Sequence, residues 1–358
     1  MKNFFTALLT LCCISLFADA YNFIALGDIH FDGAQYHKLP PQTAGRQKER
    51  QRNLSMWESG KSAAVLSAAA AQAKSSKPAF VVQLGDFTQG DCDTPELQEQ
   101  MFADGFAKVK SFFPGLKLFP VKGNHDVRVT GFKRSCNTPA AKAFMPLIAK
   151  ELGRENFIGS YTVKHGKDLF ICFDNFYDAK TGLAFIRKAL KENKDARYVF
   201  FITHIPVLPC SLSVSEWLVQ GNRIIADMLA KRNAIILTAH THHPSYLSFS
   251  DKNGTLSQLV VSSMGSEWKP GESPAIQIDS FEEFTKAAMK KTKNIEKRSS
   301  FFKRYEKYTV NKFNLFSSNS GFAVIRVDDN AVTAELHTGV SGKPWTTVTL
   351  LKNAKNGK

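Results

Sequence analysis

Six short apolar runs, most of them unbroken, constrain this chain more than any other feature. They are Asn22–Leu26, Ala79–Leu84, Leu116–Val121, Asp168–Phe173, Tyr198–Thr203 and Ala234–Thr238. Rich in Val, Ile and Phe, they read as strands buried on both faces. Helical patterns near 61–75, 95–112, 138–151, 181–193 and 213–231 lie between them. The alternation predicts an α/β fold, with helices covering a sheet whose centre is largely parallel. A later set, Leu256–Ser263, Gly321–Val327, Ala331–His337 and Thr346–Leu351, alternates more and lacks long helical patterns except around 281–312. It predicts antiparallel strands that complete a second sheet or an edge. With 43% hydrophobic and 22% charged residues, the 358-residue chain is globular rather than disordered. It is long enough to bury a full core in one large domain or two smaller ones.

Residues 1–20 form a separate unit. Lys2 precedes an apolar run from Phe4 to Phe17, and Ala18-Asp19-Ala20 supplies a small-x-small cleavage pattern. This is the make-up of a secretory signal peptide cut after Ala20. The run is shorter than the roughly 20 apolar residues a bilayer span needs. Leu11 before Cys12 and Cys13 is a poor context for lipid attachment. The expected mature protein is exported, periplasmic or secreted, has no transmembrane span, and runs from Tyr21 to Lys358.

Export places the chain where disulfides persist. Cys92, Cys136, Cys172 and Cys210 remain after cleavage. Cys172 sits in an apolar run and reads as a buried thiol. A Cys92–Cys136 bridge would close a loop worth roughly 4 kcal/mol, with Cys210 the rival partner for either. Asn53-Leu54-Ser55 and Asn253-Gly254-Thr255 have the pattern of glycan acceptors, relevant only in a eukaryotic host.

The formal charge is +15, and segment 286–312 holds ten basic residues against two acidic ones. Such a balance suits anionic partners, such as phosphorylated substrates or lipid headgroups. The plainer reading of the segment is a solvated helical flank whose Phe301, Phe302 and Tyr305 pack on the body. No nucleic-acid recognition motif accompanies the charge.

The apolar runs end in a repeated way. They lead into Gly27-Asp28-Ile29-His30, Gly85-Asp86, Gly123-Asn124-His125-Asp126, Thr203-His204 and Ala239-His240-Thr241-His242. In α/β sheets the site lies beyond the carboxyl ends of the strands, so these distant residues converge. A Gly-Asp alone is weak, being a common turn, and a His-x-His alone is weak, because two histidines can flank a strand end for structural reasons. All five elements, each at a strand end, make a strong joint signal. Two aspartates, an asparagine and four histidines form an oxygen and nitrogen donor set without thiolate. That set suits Mn, Fe, Zn, Co or Ni rather than Ca or Mg. Seven ligands exceed one tetrahedral ion and suit two ions sharing a carboxylate. Such a pair lowers the pKa of bound water and clamps the oxygens of a phosphoester.

This motif set resembles the calcineurin-like metallophosphoesterase family over residues 22 to about 243. The resemblance implies a four-layer α/β/β/α sandwich, with two mixed sheets face to face and a dimetal site at the strand C-terminal edge. It implies that Asp28, His30, Asp86 and His242 bind one metal. Asp86 would bridge to a second, held by Asn124, His204 and His240, the ions being Mn, Fe or Zn. It further implies attack by a hydroxide shared between the metals. His125 would protonate the leaving oxygen, and Asp126 would orient its imidazole. Ala239 stands where the family usually has glycine, a small change. Gln89 occupies the position where purple acid phosphatases, a subgroup of the family, carry tyrosine, which argues against that iron–tyrosinate subgroup. The chain is too short for the C-terminal substrate domain of the bifunctional 5′-nucleotidases.

Asp32, His37, Asp91 and Arg128 follow the metal motifs and are candidates to touch substrate. Arg128 is the best of them, since a guanidinium suits phosphate oxygens. His243 follows His242 and is expected to face away or meet substrate. The expectation is an exported dimetal phosphomonoesterase, acid-phosphatase-like, acting on a phosphorylated small molecule or lipid. The alternative is a diesterase of cyclic nucleotides or phospholipids. A third reading, a basic surface-binding protein with a structural metal site, leaves His125 without a purpose.

Overall fold

A computed structural model describes residues 20–38, 43–129, 137–155, 159–176, 178–210, 218–264, 276–280, 282–283, 286–287, 309–316 and 320–353. The signal segment, Cys136 and most of the basic segment 286–312 therefore lie outside the described residues.

Two mixed sheets form the centre. The first contains β1 (Tyr21–Leu26), β2 (Phe80–Gln83), β3 (Lys117–Pro120), β12 (Gly321–Val327), β13 (Ala331–Thr338) and β14 (Thr346–Lys352). Its order is β14-β13-β12-β1-β2-β3, with β1, β2 and β3 parallel and the rest antiparallel. The second contains β4 (Tyr161–His165), β5 (Asp168–Cys172), β6 (Val199–Ile202), β7 (Ile235–Thr238), β8 (Ser245–Asp251), β9 (Gly254–Val260), β10 (Ile276–Ile278) and β11 (Thr309–Leu315). Its order is β10-β11-β8-β9-β7-β6-β5-β4, with β5, β6, β7 and β9 parallel.

The unbroken apolar runs are explained by burial on two sides. In β5 and β6, Phe170 and Phe200 point inward and stack at 4.6 Å, while Leu169, Ile171, Val199 and Phe201 point outward. Phe23 of β1 meets Phe170 and Phe200 edge-on at 5.4 and 5.5 Å, joining the sheets through one core. Alternation along a strand sends successive side chains to opposite faces. Both faces are covered here, so the polar half of the usual pattern is missing.

The helices are α1 (Ala44–Glu58), α2 (Lys61–Ser76), α3 (Pro95–Phe112), α4 (Asn137–Pro139), α5 (Met145–Leu152), α6 (Ala179–Glu192) and α7 (Asn222–Ala230). A π turn, Ala140–Phe144, joins α4 to α5. Val65 and Leu66 of α2 and Phe102 and Phe106 of α3 pack into the core shared with the first sheet. Ile186 of α6 and Ile225 and Leu229 of α7 cover the outer face of the second. The layers are the four expected from the resemblance.

Some expectations need correcting. The helical pattern at 213–231 yields α7 over Asn222–Ala230 only, and 211–217 lies outside the described residues. The expected helical flank at 281–312 ends in β11, which begins at Thr309. Among the described cysteines no disulfide forms. Cys92 is a buried thiol 3.8 Å from Met101 Sδ, and burial pushes the Cys172 thiol up to about 12. Asn53 is fully buried, and its Nδ2 donates to Gln89 Oε1 at 2.6 Å, so the folded chain offers no glycan acceptor there. Among the described residues, no helix is long and apolar enough to cross a membrane.

Candidate metal centre

The parallel strands of both sheets end at one rim. Asp28 and His30 follow β1, Asp86 follows β2, and Asn124 and His125 follow β3. His204 follows β6, and His240 and His242 follow β7. The chain must turn sharply at these points. Seven described non-glycine residues have positive φ, and four of them are His30, Asp86, His240 and His242. That conformation is costly for a side-chain-bearing residue and concentrates at functional sites. Gly85 (φ +91°) shows why glycine precedes Asp86, since a Cβ there would lie 2.6 Å from the His204 ring.

Two donor groups result. Asp28, His30, Asp86 and His242 each offer a ligand atom within 4.8 Å of the others, and Asp86, His204 and His240 form a second such group. Asp86 belongs to both. His30 Nε2 and His242 Nε2 lie 3.1 Å apart, as do His240 Nδ1 and His204 Nε2. Asn124 Oδ1 is 3.1 Å from His204 Nε2, which places it with the second group. Backbone contacts aim the ligands. His204 Nδ1 donates to the Leu84 carbonyl at 2.9 Å, turning Nε2 to the site. The His240 amide donates to Asp28 Oδ1 at 3.1 Å, and the His125 amide donates to Asp86 Oδ1 at 2.7 Å.

The electrostatics fit a pair of cations. Burial, then His125, drives His30 well below its ordinary pKa, and burial with His204 lowers His240 to about 3. Both shifts favour the neutral imidazole, the form that binds metal. Burial opposes the charge of Asp86, but His204 and His125 outweigh it and keep the carboxylate ionised. Burial opposes the charge of His204 too, yet Asp86 and Asp28 raise it to about 9, so the field at this spot favours positive charge. Ring nitrogens of four histidines and the oxygens of two carboxylates converge at one rim, which is the donor set of transition-metal ions.

A family model, the calcineurin-like phosphoesterase, matches residues 21–244. The chain belongs to that family. No curated protein matches the sequence. Among solved structures, a dimetal phosphatase from Danio rerio is 12% identical with a TM-score of 0.55, covering 93% of this chain and 99% of that one. PhoD is 11% identical with a TM-score of 0.54, covering 92% of this chain and 68% of its own. GAP50, the anchor in the inner membrane complex of Plasmodium, is 14% identical with a TM-score of 0.51, covering 94% and 90%. At these identities the likenesses show the fold. Family membership and the donor set together make this phosphoesterase a metal-dependent hydrolase of phosphoric esters.

His125 stands beside both groups without joining either. Its ring centroid is 4.5 Å from that of His30, and its Nε2 is 4.0 Å from Asp86 Oδ2. Asp126 does not orient it. The Asp126 carboxylate accepts from the amides of Phe87, Thr88 and Gly123 and from Thr88 Oγ1, which ties the β2 and β3 loops together. Instead, His125 Nδ1 lies 2.6 Å from the Gln89 carbonyl, which can only accept, and 2.9 Å from Arg128 Nη2, which can only donate; the shorter contact favours a proton on Nδ1. Glu49 Oε1 is 3.5 Å from Nε2. Burial and Arg128 work against a charged His125, but Asp86 and Glu49 outweigh them and raise its pKa.

Arg128 reaches the site but is already engaged. Its Nη2 contacts Asp91 Oδ2 at 2.7 Å, Glu49 Oε2 at 3.1 Å and His125 Nδ1 at 2.9 Å. Asp32 pairs with His37 at 2.6 Å, and Asp91 also faces Arg46 at 3.6 Å. His37 Nδ1 also lies 3.3 Å from the Asp91 carbonyl, so Asp32, His37 and Asp91 brace one another. His243 is exposed beside the rim. Glu49 and Asn53, both on α1, escaped the sequence reading. Helix α1 is capped by Thr43, whose Oγ1 accepts from the Arg46 amide at 3.3 Å. Its buried face carries Asn53 and Met56 rather than an apolar stripe, so hydrophobic periodicity does not reveal it.

Proposed function

We propose that this phosphoesterase is a phosphomonoesterase that uses two transition-metal ions. The observation that carries the reading is the one-sided opening of the site. Asp28, His30, Asp86 and His204 are at most 1% exposed, whereas Asn124, His240 and His242 face partly outward. Glu49 of α1 closes the His125 side. We read a site that opens on one side as suited to a phosphoryl group carrying a single ester arm.

Bound between the two donor groups, the ions would lower the pKa of water and neutralise charge on the phosphoryl oxygens. The protein supplies the rest. Asp86 ties the two groups together. Asn124, His240 and His242 define the entrance. His125, with Nδ1–H held by Gln89, directs Nε2 toward the departing oxygen and can deliver a proton there. With both ring nitrogens protonated, the Nε2 proton moves to the ester oxygen as the oxygen of water bonds to phosphorus and the phosphorus–oxygen bond to the alcohol breaks, so the alcohol leaves and His125 keeps its Nδ1 proton.

The test uses residues 21–358 with manganese, on p-nitrophenyl phosphate and on bis-p-nitrophenyl phosphate, each with a chelator control. The expected result is a chelator-sensitive monoester rate roughly tenfold or more above the diester rate. A faster diester rate would overturn the monoester reading and favour cyclic nucleotides or phospholipids as substrates.

Export is part of the same proposal. The expected cleavage after Ala20 falls where β1 begins at Tyr21, so the whole of β1 stays in the mature chain. N-terminal sequencing of protein expressed with its first twenty residues should read Tyr-Asn-Phe-Ile-Ala. An intact amino terminus in the cytoplasm would contradict export.

A further inference from the structure

Helix α1 grips His125 from two consecutive turns. Glu49 reaches the Nε2 side of the ring at 3.5 Å. Asn53, four residues on, donates from Nδ2 to Gln89 Oε1 at 2.6 Å. The backbone carbonyl of that same Gln89 holds His125 Nδ1. The side chains of residues four apart lie on one face of a helix, so one rigid element controls both nitrogens of the ring. Further along that side, Trp57 Nε1 donates to the Ile29 carbonyl at 3.3 Å, and its ring meets Phe31 edge-on at 5.0 Å. The helix is thus anchored to the loop that carries His30.

The surroundings of the ring make this grip necessary. Arg128 Nη2 lies 2.9 Å from Nδ1, and a guanidinium that close opposes a proton on the ring. Glu49 Oε2 takes that same nitrogen at 3.1 Å while Oε1 faces Nε2. One carboxylate therefore restrains the arginine and balances the imidazole. At 3.5 Å its contact with Nε2 is too long for a strong hydrogen bond. An ester oxygen can share that proton without displacing Glu49.

We propose that Glu49 is a positioning residue, which together with Asn53 holds the His125 imidazole with Nδ1 protonated and Nε2 aimed at the leaving oxygen. The proposal rests on the phosphoesterase reading of the site, with His125 as proton donor. Glu49 acts through His125 and touches neither donor group.

A positioning role predicts a loss that depends on the leaving group. Good leaving groups need little protonation and poor ones need much. Glu49→Ala and Glu49→Gln should lose only a few-fold in kcat on p-nitrophenyl phosphate, and about 10–100-fold on an alkyl phosphate, with KM nearly unchanged. Gln keeps the size of the side chain, and its loss should be the smaller of the two. Metal content should match the wild-type protein in both. An equal loss on every leaving group, or no loss, would overturn the proposal.

A second readout does not depend on turnover. In zinc-loaded protein with 15N-labelled histidine, His125 is identified by the resonances missing from His125→Ala. At alkaline pH, where Nε2 has given up its proton, wild type should show a single neutral tautomer protonated at Nδ1, and Glu49→Ala and Asn53→Ala should show exchange broadening or the second tautomer. Unchanged ring resonances in Glu49→Ala would overturn the proposal, even if activity fell. A zinc- and manganese-competent wild type that cleaves neither ester would instead overturn the phosphoesterase reading, and the ring resonances would still decide the role of Glu49.

Discussion

Asp86→Asn should cost this protein nearly all of its bound metal, together with at least about a thousandfold in kcat/KM. Asp86 is the only residue shared by the two donor groups, so the loss reaches both. Oδ2 lies 3.2 Å from His204 Nε2, while Oδ1 accepts from the His125 amide at 2.7 Å. One carboxylate thus meets a residue of the second group and braces the loop that carries His125. Asparagine preserves the shape and one acceptor but removes the charge. Elemental analysis of the purified variant measures the effect, and two metals per chain would contradict the bridging role. Removing a ligand that serves one group only, such as His242, should leave the other group able to bind.

Lys122→Ala should destabilise the fold by about 3–5 kcal/mol, the usual result of stranding one partner of a buried ion pair. Lys122 Nζ lies 2.8 Å from Asp174 Oδ2, and the two residues are 2% and 4% exposed. Lys122 follows β3 and Asp174 follows β5, so the pair ties the rims of the two sheets together next to Asn124. Burial already raises the Asp174 pKa, with Lys122 opposing the rise. Without Lys122 the carboxyl would rise further. A carboxyl whose folded pKa exceeds its unfolded one costs stability as pH climbs through the interval between them. The deficit of Lys122→Ala should therefore be greatest near neutral pH and shrink toward the ordinary carboxylate range. Denaturant unfolding at several pH values measures it. A deficit that grows on acidification would contradict the ion-pair account. The double variant Lys122→Met with Asp174→Leu should recover much of the loss, because neither charge is then stranded.

The candidate metal ligands were legible in the sequence because each follows an apolar strand, and parallel strands deliver their carboxyl ends to one rim. Asp28, His30, Asp86, Asn124, His204, His240 and His242 needed no knowledge of side-chain packing. Asp126 was misread because its neighbour in sequence is His125. In the turn between them the two side chains diverge, and the carboxylate closes the loop instead. Glu49 and Asn53 were not legible. They lie far from His125 in sequence, on a helix whose seat is polar. The β8–β9 hairpin carried a readable signal, Asn253-Gly254 after Asp251, of the kind that forms tight turns between strands. The role of Arg128 depended on contacts with Glu49 and Asp91, which no spacing in the sequence announces.

The most direct measurement is a metal titration of chelator-treated residues 21–358, with bound ion and p-nitrophenyl phosphate turnover followed together. A two-metal phosphoesterase should bind two transition-metal ions per chain, with turnover appearing as the second site fills. Saturation at one ion, or turnover that does not depend on added metal, would contradict the shared-carboxylate centre at Asp86.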